Sequence, residues 1–386
     1  MNSVHTMNWL YEVEWELPWI LFFMFAGVGL IQLFYYWVYF SRLAFYKPKS
    51  KNTYTGSVSV VISAHNEYNN LKKNLRYILT QDYHDYEVVV VDDASDDDSA
   101  HFLQQMEAKY GHLKVVTLKD SVNFFKGKKL PLSIGIKSAK SDVVLLTDAD
   151  CRPAGPHWIT RMADNFEGQT ELVLGYGGYE VKPGLLNKLI RFDTLFAAMQ
   201  YLSMALAGIP YMGVGKNLSY KKGLFYRVKG FTSHYKILSG DDDLFVNQTA
   251  TKDNVAIEIS PHSFTITAPT NSFKAWLNQK RKKHTTGKYY KRRHKRLLGM
   301  FSFTQFLFYP LFISTLVIGG IGMVSFMAAG VFLLRLFTQM IIFSKVTARF
   351  NERNIFPYSI LFELVYPFIS FIFVLASLFY SKQTWK

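Results

Sequence analysis

A single cysteine, Cys151, stands among 386 residues. No disulfide can form within the chain, and no cysteine-built zinc cluster exists. A lone cysteine is more often a small buried filler than a nucleophile, and Cys151 is given no role. Acids are scarce as well: 29 Asp and Glu stand against 44 Lys and Arg, a net charge of +15. The shortage is local. Residues 280–296 are crowded with Lys and Arg and hold no acid at all. Such a run reads either as a nucleic-acid contact or as a patch for anionic lipid headgroups. It directly precedes an apolar run and nothing else resembles a nucleic-acid module, so headgroups are preferred and no nucleic-acid partner is expected. Internal repeats and low-complexity linkers are also missing.

What the chain does have is apolar runs at both ends. Leu17 to Phe40 carries no charge, and at 1.5 Å per residue it is long enough to cross a bilayer core. The preceding residues are acidic (Glu12, Glu14, Glu16) and no small-residue cleavage site follows, so a span is expected rather than a signal peptide. Arg42, Lys47, Lys49 and Lys51 follow it, and the positive-inside rule then places residues 1–16 outside and the chain from about 41 in the cytoplasm. Residues 300–380 are expected to hold about three further spans. Phe301 to Phe343 is long enough for two, with Gly319, Gly320 and Gly322 at the reversal, and the last runs from about Phe356 to Tyr380. Arg335 falls inside the second of these, where a charge is costly and must face protein, water or an interface. Lys345, Arg349 and Arg353 mark a cytoplasmic loop. The expected organisation is a span at 17–40, a cytoplasmic linker at 41–56, a cytoplasmic catalytic domain at 57–299 and a short tail at 381–386. The membrane is expected to be the cell (inner) membrane.

Between the ends, short β-rich runs alternate with helical patterns. Strands are expected at 58–63, 86–91, 113–118 and 143–147. Helices are expected at 67–80, where Leu71, Leu75 and Ile78 recur at helical spacing, and at 97–110 and 129–140. Such alternation predicts βαβ units and a Rossmann-like α/β domain with a mostly parallel sheet. The segment 184–210 is apolar yet contains Lys188, Arg191 and Asp193; it reads as an amphipathic helix lying on the membrane or, equally, as a buried core helix.

Polar residues gather where these strands end. The run Val143 to Leu146 leads through Thr147 to Asp148 and Asp150, one residue apart. A strand carries i and i+2 on one face, and ligands of open α/β sheets bind beyond the strands' carboxyl ends. Two acids there, with no neighbouring base to pair them, suit a hard cation such as Mg²⁺ held with substrate phosphates. A plain polar turn is the alternative. Asp92 and Asp93 end another strand, where a nucleoside's hydroxyl and amide groups need acceptors, whereas Asp97 and Asp98 read as helix caps. Gly127, Lys128 and Lys129 offer a glycine turn and cations before a helix, suited to a diphosphate.

Taken in order, Ala64-His-Asn-Glu67, Val91-Asp-Asp-Ala-Ser-Asp96, Gly127-Lys128 and Thr147-Asp-Ala-Asp150 resemble the nucleotide-sugar domain of family 2 glycosyltransferases, which have the GT-A fold. Downstream, Gly213-Val-Gly-Lys-Asn217 and Ser239-Gly-Asp-Asp-Asp243 resemble that family's acceptor-side loop and catalytic-base motif. The resemblance spans residues 57–290. One helix before and several after the domain are similar to the layout of ceramide glucosyltransferases and poly-N-acetylglucosamine synthases.

The resemblance implies a metal-dependent inverting transferase. Glu67 and Asp93 would contact the nucleoside, with Lys128 beside the base or phosphates. Asp148 would orient sugar and ribose, and Asp150, with Asp148, would hold Mg²⁺ or Mn²⁺. Asp242 would be the general base, with Asp241 where the family has Glu. Gly215 and Asn217 would lie on the acceptor side. The donor implied is a nucleotide sugar, a UDP-sugar foremost, and the acceptor a membrane lipid or glycan. One motif departs: members that polymerise sugars carry Gln-x-x-Arg-Trp, whereas here Gln279 is followed by Lys282 at the Arg position and the tryptophan is missing. Its absence counts against a sugar-chain acceptor. A processive polysaccharide synthase is the nearest alternative, and a non-catalytic scaffold binding anionic lipid through 280–296 is the alternative of another class.

Overall fold

The computed structural model describes residues 8–48, 53–119, 127–237 and 239–378. Part of the expected 41–56 linker, the end of the last expected span and the 381–386 tail lie outside them. The helices, in chain order, are α1 (Asn8–Phe34), α2 (Ser41–Ala44), α3 (Tyr68–Leu79), α4 (Ser99–Lys109), α5 (Lys129–Ser138), α6 (Trp158–Ala163), α7 (Leu185–Leu206), α8 (Lys222–Arg227), α9 (Asp243–Thr249), α10 (Phe273–His284), α11 (Arg292–Gly319), α12 (Met323–Arg349) and α13 (Phe356–Leu378). The strands are β1 (Val58–Ala64), β2 (Tyr86–Asp92), β3 (Leu113–Thr117), β4 (Val143–Leu146), β5 (Cys151–Pro153), β6 (Leu172–Leu174), β7 (Gly177–Tyr179), β8 (Leu218–Lys221), β9 (Val255–Ile257) and β10 (Thr265–Thr267).

The four expected strands form one parallel block, β3-β2-β1-β4. β1 and β4 are buried at every position, as near-continuous apolar runs demand when both faces are covered. One face packs Val58, Val60 and Ile62 against Leu71, Leu75 and Ile78 of α3 and Trp158 of α6. The other packs Val61, Val144 and Leu146 against α5, α7 and the ends of the long apolar helices. Helix α5 comes close because residue 135 is Gly: a Cβ there would sit 2.5 Å from Val61 Cγ1. Beyond β4 the sheet stops being all-parallel, since β8 lies antiparallel between β4 and β6 and a parallel β9 closes the edge. A second sheet, β5-β10-β7, stands beside it.

Among the described residues, four segments are long and apolar enough to cross a membrane: Leu17–Ala44, Arg292–Gly319, Met323–Arg349 and Arg353–Ile372. This is one N-terminal and three C-terminal helices, with the reversal at Gly320, whose φ is +56°. The helix that carries the first span begins at Asn8 and continues through a π-helical stretch, Tyr35–Phe40, into α2. Arg335 faces protein. It is 1% exposed and paired with the fully buried Glu363 of α13, which also accepts from Gln305 at 3.0 Å and from Tyr309. A charge in that setting is tolerable only with such partners.

The membrane-lying alternative for residues 184–210 is corrected. Helix α7 is buried along most of its length. Its charges are neutralised inside the protein: Arg191 pairs with Glu352 and bonds Asn354 at 2.8 Å, and Asp193 pairs with Lys280 and accepts from Tyr366 at 2.8 Å. The polar residues that suggested an outward face instead bind α7 to α10, α13 and the turn before α13.

Candidate active site

The carboxyl ends of β1, β2 and β4 bring their polar loops together. Asn66 and Ala94 both adopt left-handed backbone, at φ 57° and 49°. That geometry is uncommon for alanine and turns each loop sharply off its strand. The two loops are sewn together, for Asn66 N–H donates to Ser95 Oγ at 2.9 Å and Asp96 N–H to Asn66 Oδ1 at 2.8 Å. Asp97 behaves as a cap, accepting from Ser99 N–H at 3.0 Å and from Tyr68 N–H at 3.1 Å. Asp93 is half-buried, and burial raises its carboxyl, with His65 opposing. Its neighbour Asp92 is 1% exposed, and its Oδ1 finds no hydrogen-bond donor among the described residues. An unsatisfied buried acceptor is costly without a ligand or water to fill it.

At the end of β4, Asp148 and Asp150 present oxygens that, with Cys151 Sγ, all lie within 4.8 Å of one another. The expectation that no base pairs these acids is corrected: Lys128 Nζ lies 2.7 Å from Asp148 Oδ1. Burial works against the charge on Lys128, but Asp148 beside it holds its ammonium well above the usual lysine range. Glu67 lies within electrostatic reach of Asp150, Lys128 and Asp148; burial raises its carboxyl while a 2.5 Å hydrogen bond from Asn70 opposes. Burial pushes the Cys151 thiol up, and it bonds Thr267 Oγ1 at 2.8 Å. It is therefore a neutral filler, and the hard oxygens of Asp148 and Asp150 are the donor set suited to Mg²⁺ or Mn²⁺. Asn74, buried in α3, holds the intervening turn by donating to Ala149 O at 3.2 Å.

The acid triplet stands at the start of α9. Gly240, at φ +100°, makes the turn into it, and a Cβ there would meet Leu244 at 2.5 Å. Asp242 caps the helix: its Oδ1 accepts from Asp243 N–H at 2.8 Å and its Oδ2 from Gly215 N–H at 2.8 Å. Burial and the adjacent Asp242 carboxylate push Asp241 up to about 7, against the pull of Lys128. The same two causes push Asp243 up to about 6, although Thr286 and Tyr290 donate to it. Asp241 feels Lys128 and Asp148 together, so the triplet and the strand-end acids share one electrostatic environment.

The expectation that Lys129 joins Lys128 as a cation for a diphosphate is corrected, and sequence reasoning gave Lys216 no role of its own. Lys129 is buried and spends its ammonium on three carbonyls of the loop before the triplet: His234 at 2.7 Å, Ile237 at 2.6 Å and Ser239 at 2.8 Å. Burial lowers it to about 8 while the triplet opposes. Lys216 reaches Thr267 Oγ1 at 3.0 Å over the Tyr179 ring, and is a second cation near Asp150 and Asp148. For Lys216 the available signal was a lysine inside the Gly213–Asn217 loop. Asn217 itself is not in position to meet an acceptor. It is fully buried, accepts from Trp158 at 3.0 Å and donates to the carbonyls of Tyr176 and Ser263. Gln279 is exposed on α10 and makes no hydrogen bond with the triplet among the described residues. Lys282 lies on the same helix, its side chain outside the described set.

Known proteins agree with this geometry. Residues 59–227 match the model for glycosyl transferase family 2. The chain is 24% identical over 327 residues to the probable glycosyltransferase YdaM of Bacillus subtilis, covering 78% of this chain and 74% of that one. It is 28% identical over 152 residues to a poly-beta-1,6-N-acetyl-D-glucosamine synthase of Staphylococcus epidermidis, covering 38% and 33%. Among solved structures, a mannosyltransferase of Pyrobaculum calidifontis in complex with GDP-Man and Mn²⁺ superposes with a TM-score of 0.54 at 18% identity, over 88% of this chain and 99% of that one. With its mixed sheet, its crossed helices and its strand-end acids, the chain is a glycosyltransferase carrying a family 2 domain of GT-A fold.

Proposed function

We propose that this glycosyltransferase moves a single sugar, with inversion, from a nucleotide-diphosphate sugar to a hydroxyl or phosphate of a membrane lipid or lipid-linked glycan. The observation that carries it is the shared electrostatic environment of Asp148, Lys128 and Asp241, which supports a joint role for the cation, the strand-end acids and the triplet. The long apolar helices support the membrane acceptor, and the lysines and arginines flanking them favour a sheet on the cytoplasmic side of the cell (inner) membrane.

Asp92, Asp93 and Glu67 take the nucleoside, the orphaned Asp92 Oδ1 being an acceptor in want of a donor. Lys128 stands where a diphosphate gathers negative charge. Asp150, with Asp148, holds Mg²⁺ or Mn²⁺, which when bound supplies Lewis-acid neutralisation of that charge; the related mannosyltransferase was solved with Mn²⁺. With a hydroxyl acceptor, Asp242 takes its proton on a carboxylate oxygen as the acceptor oxygen bonds to the anomeric carbon and the bond to the nucleoside diphosphate breaks; an ionised phosphate oxygen makes the same bond with no proton to lose. Two backbone N–H groups fix that carboxylate. One displacement inverts the anomeric centre.

Single transfer is preferred to processive synthesis because the polar residues of the apolar helices are turned on one another. Arg335, Glu363, Gln305 and Tyr309 bond among themselves. Purified protein, a membrane lipid extract and a panel of nucleotide sugars, read by mass spectrometry, test the reading. One-sugar lipid products are expected. A ladder of long saccharides overturns single transfer, and products only on soluble acceptors overturn the membrane acceptor.

A further inference from the structure

A cleft of about 310 Å³ opens where the first apolar helix ends and α11 begins, lined by Tyr39, Ile209, Arg293, Arg296 and Leu297. Its walls are tied together, since Tyr35 OH donates to Leu297 O at 2.7 Å. Its lining is split by chemistry: Ile209 and Leu297 are apolar, and the two arginines are exposed on α11, one turn apart. Neither guanidinium pairs with an acid among the described residues. Two exposed guanidinium groups one turn apart at the start of a helix, where the macrodipole is also positive, set up a local positive potential that attracts an anion. No acid within residues 280–296 relieves them.

The cleft is also connected to the acid triplet. His294, between the arginines, and the Lys291 N–H both bond the Asn247 side chain, at 2.9 and 3.0 Å, and Asn247 donates to Tyr211 O at 2.8 Å. Asn247 belongs to α9, which Asp242 caps, and at 1.5 Å per residue it lies about 8 Å along that helix from the cap. Ile209 enters the loop that runs to Gly215, whose N–H holds Asp242. The cleft is thus at the membrane end of the elements that position the triplet.

We propose that Arg293 and Arg296 bind the phosphate of a membrane lipid, with Ile209 and Leu297 against the first carbons of its tail. The inference rests on the membrane-acceptor reading and narrows its acceptor side to phosphate-bearing lipid. Arginine is suited to phosphate by its planar fork of donors. Lysine or arginine near a headgroup contributes roughly 1 kcal/mol each, so two are worth on the order of 30-fold in affinity.

Native mass spectrometry of the full chain in detergent tests this with four probes: a polyprenyl phosphate, the polyprenol lacking phosphate, phosphatidylglycerol and inorganic phosphate. Wild type should hold polyprenyl phosphate roughly 30-fold better than the alcohol, and inorganic phosphate weakly, for want of a tail. The variant R293Q/R296Q should lose that preference. Should phosphatidylglycerol bind as well as polyprenyl phosphate, with the same dependence on the arginines, the lipid is a bulk headgroup and the phosphate site stands. Equal binding of phosphate and alcohol, or a preference that survives in the variant, overturns the proposal. Nucleotide affinity and slow hydrolysis of the donor to water are read in parallel. They should be unchanged in the variant, and their absence from the wild type would refute the transferase reading independently of the lipid result.

Discussion

Gly215 N–H donates to Asp242 Oδ2 across 2.8 Å, joining the loop before β8 to the cap of α9. With the Asp243 N–H on the other oxygen, the carboxylate is held in one orientation. Each oxygen keeps a lone pair for an incoming hydroxyl. Asp242→Asn preserves size but removes the proton acceptor. Turnover should fall by about 10²–10⁴-fold, with nucleotide affinity kept. Nucleotide release and donor binding are the measurements. Normal turnover in this variant, with a dead Asp241→Asn, would move the base by one residue.

The salt bridge between Lys128 and Asp148 carries a second expectation. A cation that occupies Asp148 competes with a divalent ion for the same oxygen. Lys128→Met should therefore raise Mn²⁺ affinity in the absence of nucleotide and weaken nucleotide diphosphate binding. Asp150→Asn should lower Mn²⁺ affinity and abolish turnover, and excess chelator should silence the wild type. Calorimetric titration with Mn²⁺ separates these effects. Full activity of the wild type under chelator would remove the metal from the account.

How much of this was legible in the sequence follows from where each feature's signal resides. The strands β1 to β4 and the helices α3 to α5 were readable because long apolar runs and the 3.6-residue spacing of Leu71, Leu75 and Ile78 are local properties. The antiparallel β8, wedged between β4 and β6, was not, since pairing direction is decided by where Leu218–Lys221 returns in space. Three-residue strands such as β7 and β10 are too short for any alternation to show. The acids were readable as types, but the Lys128–Asp148 pair joins residues 20 apart in sequence. Asn217 was misjudged because a motif carries residue identity and not the burial that ties its amide to Trp158. For α7 the sequence left a membrane-lying and a buried helix equally open, and the partners of Arg191 and Asp193, namely Glu352, Asn354 and Lys280, decide for the buried one.

Lys129 supplies a third prediction. Its ammonium gathers the carbonyls of His234, Ile237 and Ser239, and so shapes the approach to Gly240 and the triplet. Lys129→Met keeps the length of the side chain and removes the donors. The three carbonyls lose that donor: His234 O keeps the Ile237 N–H at 3.1 Å, while the part-buried carbonyls of Ile237 and Ser239 lose theirs, at about 1–3 kcal/mol for each group left unsatisfied. The expected result is a lower kcat with little change in nucleotide affinity, and faster hydrogen exchange over residues 234–240. A parallel loss of nucleotide binding would mean general unfolding, and unchanged kcat would show that the clamp does not position the triplet.

The raised acids give the last prediction, and its sign can be worked out. Asp241, pushed up to about 7 in the folded protein, would titrate near 3.9 in an unfolded chain. Between those values the folded state binds more protons than the unfolded one, so stability must fall as pH rises from about 4 to about 7. Above that window both states are ionised and this contribution is flat. Asp241→Asn removes the titrating group and, with it, part of the slope; it also relieves Asp243 indirectly by lowering the charge around Asp242. Melting temperatures of the detergent-solubilised protein, free of nucleotide and divalent ions, should decline from pH 5 to pH 7 in the wild type and decline less in the variant. Added Mn²⁺ should reduce the decline as well, because a cation at Asp148 and Asp150 offsets the charge that makes the ionised triplet costly. A wild-type profile that rises over the same interval would mean that Asp241 is ionised throughout, paired more tightly with Lys128 than its burial allows.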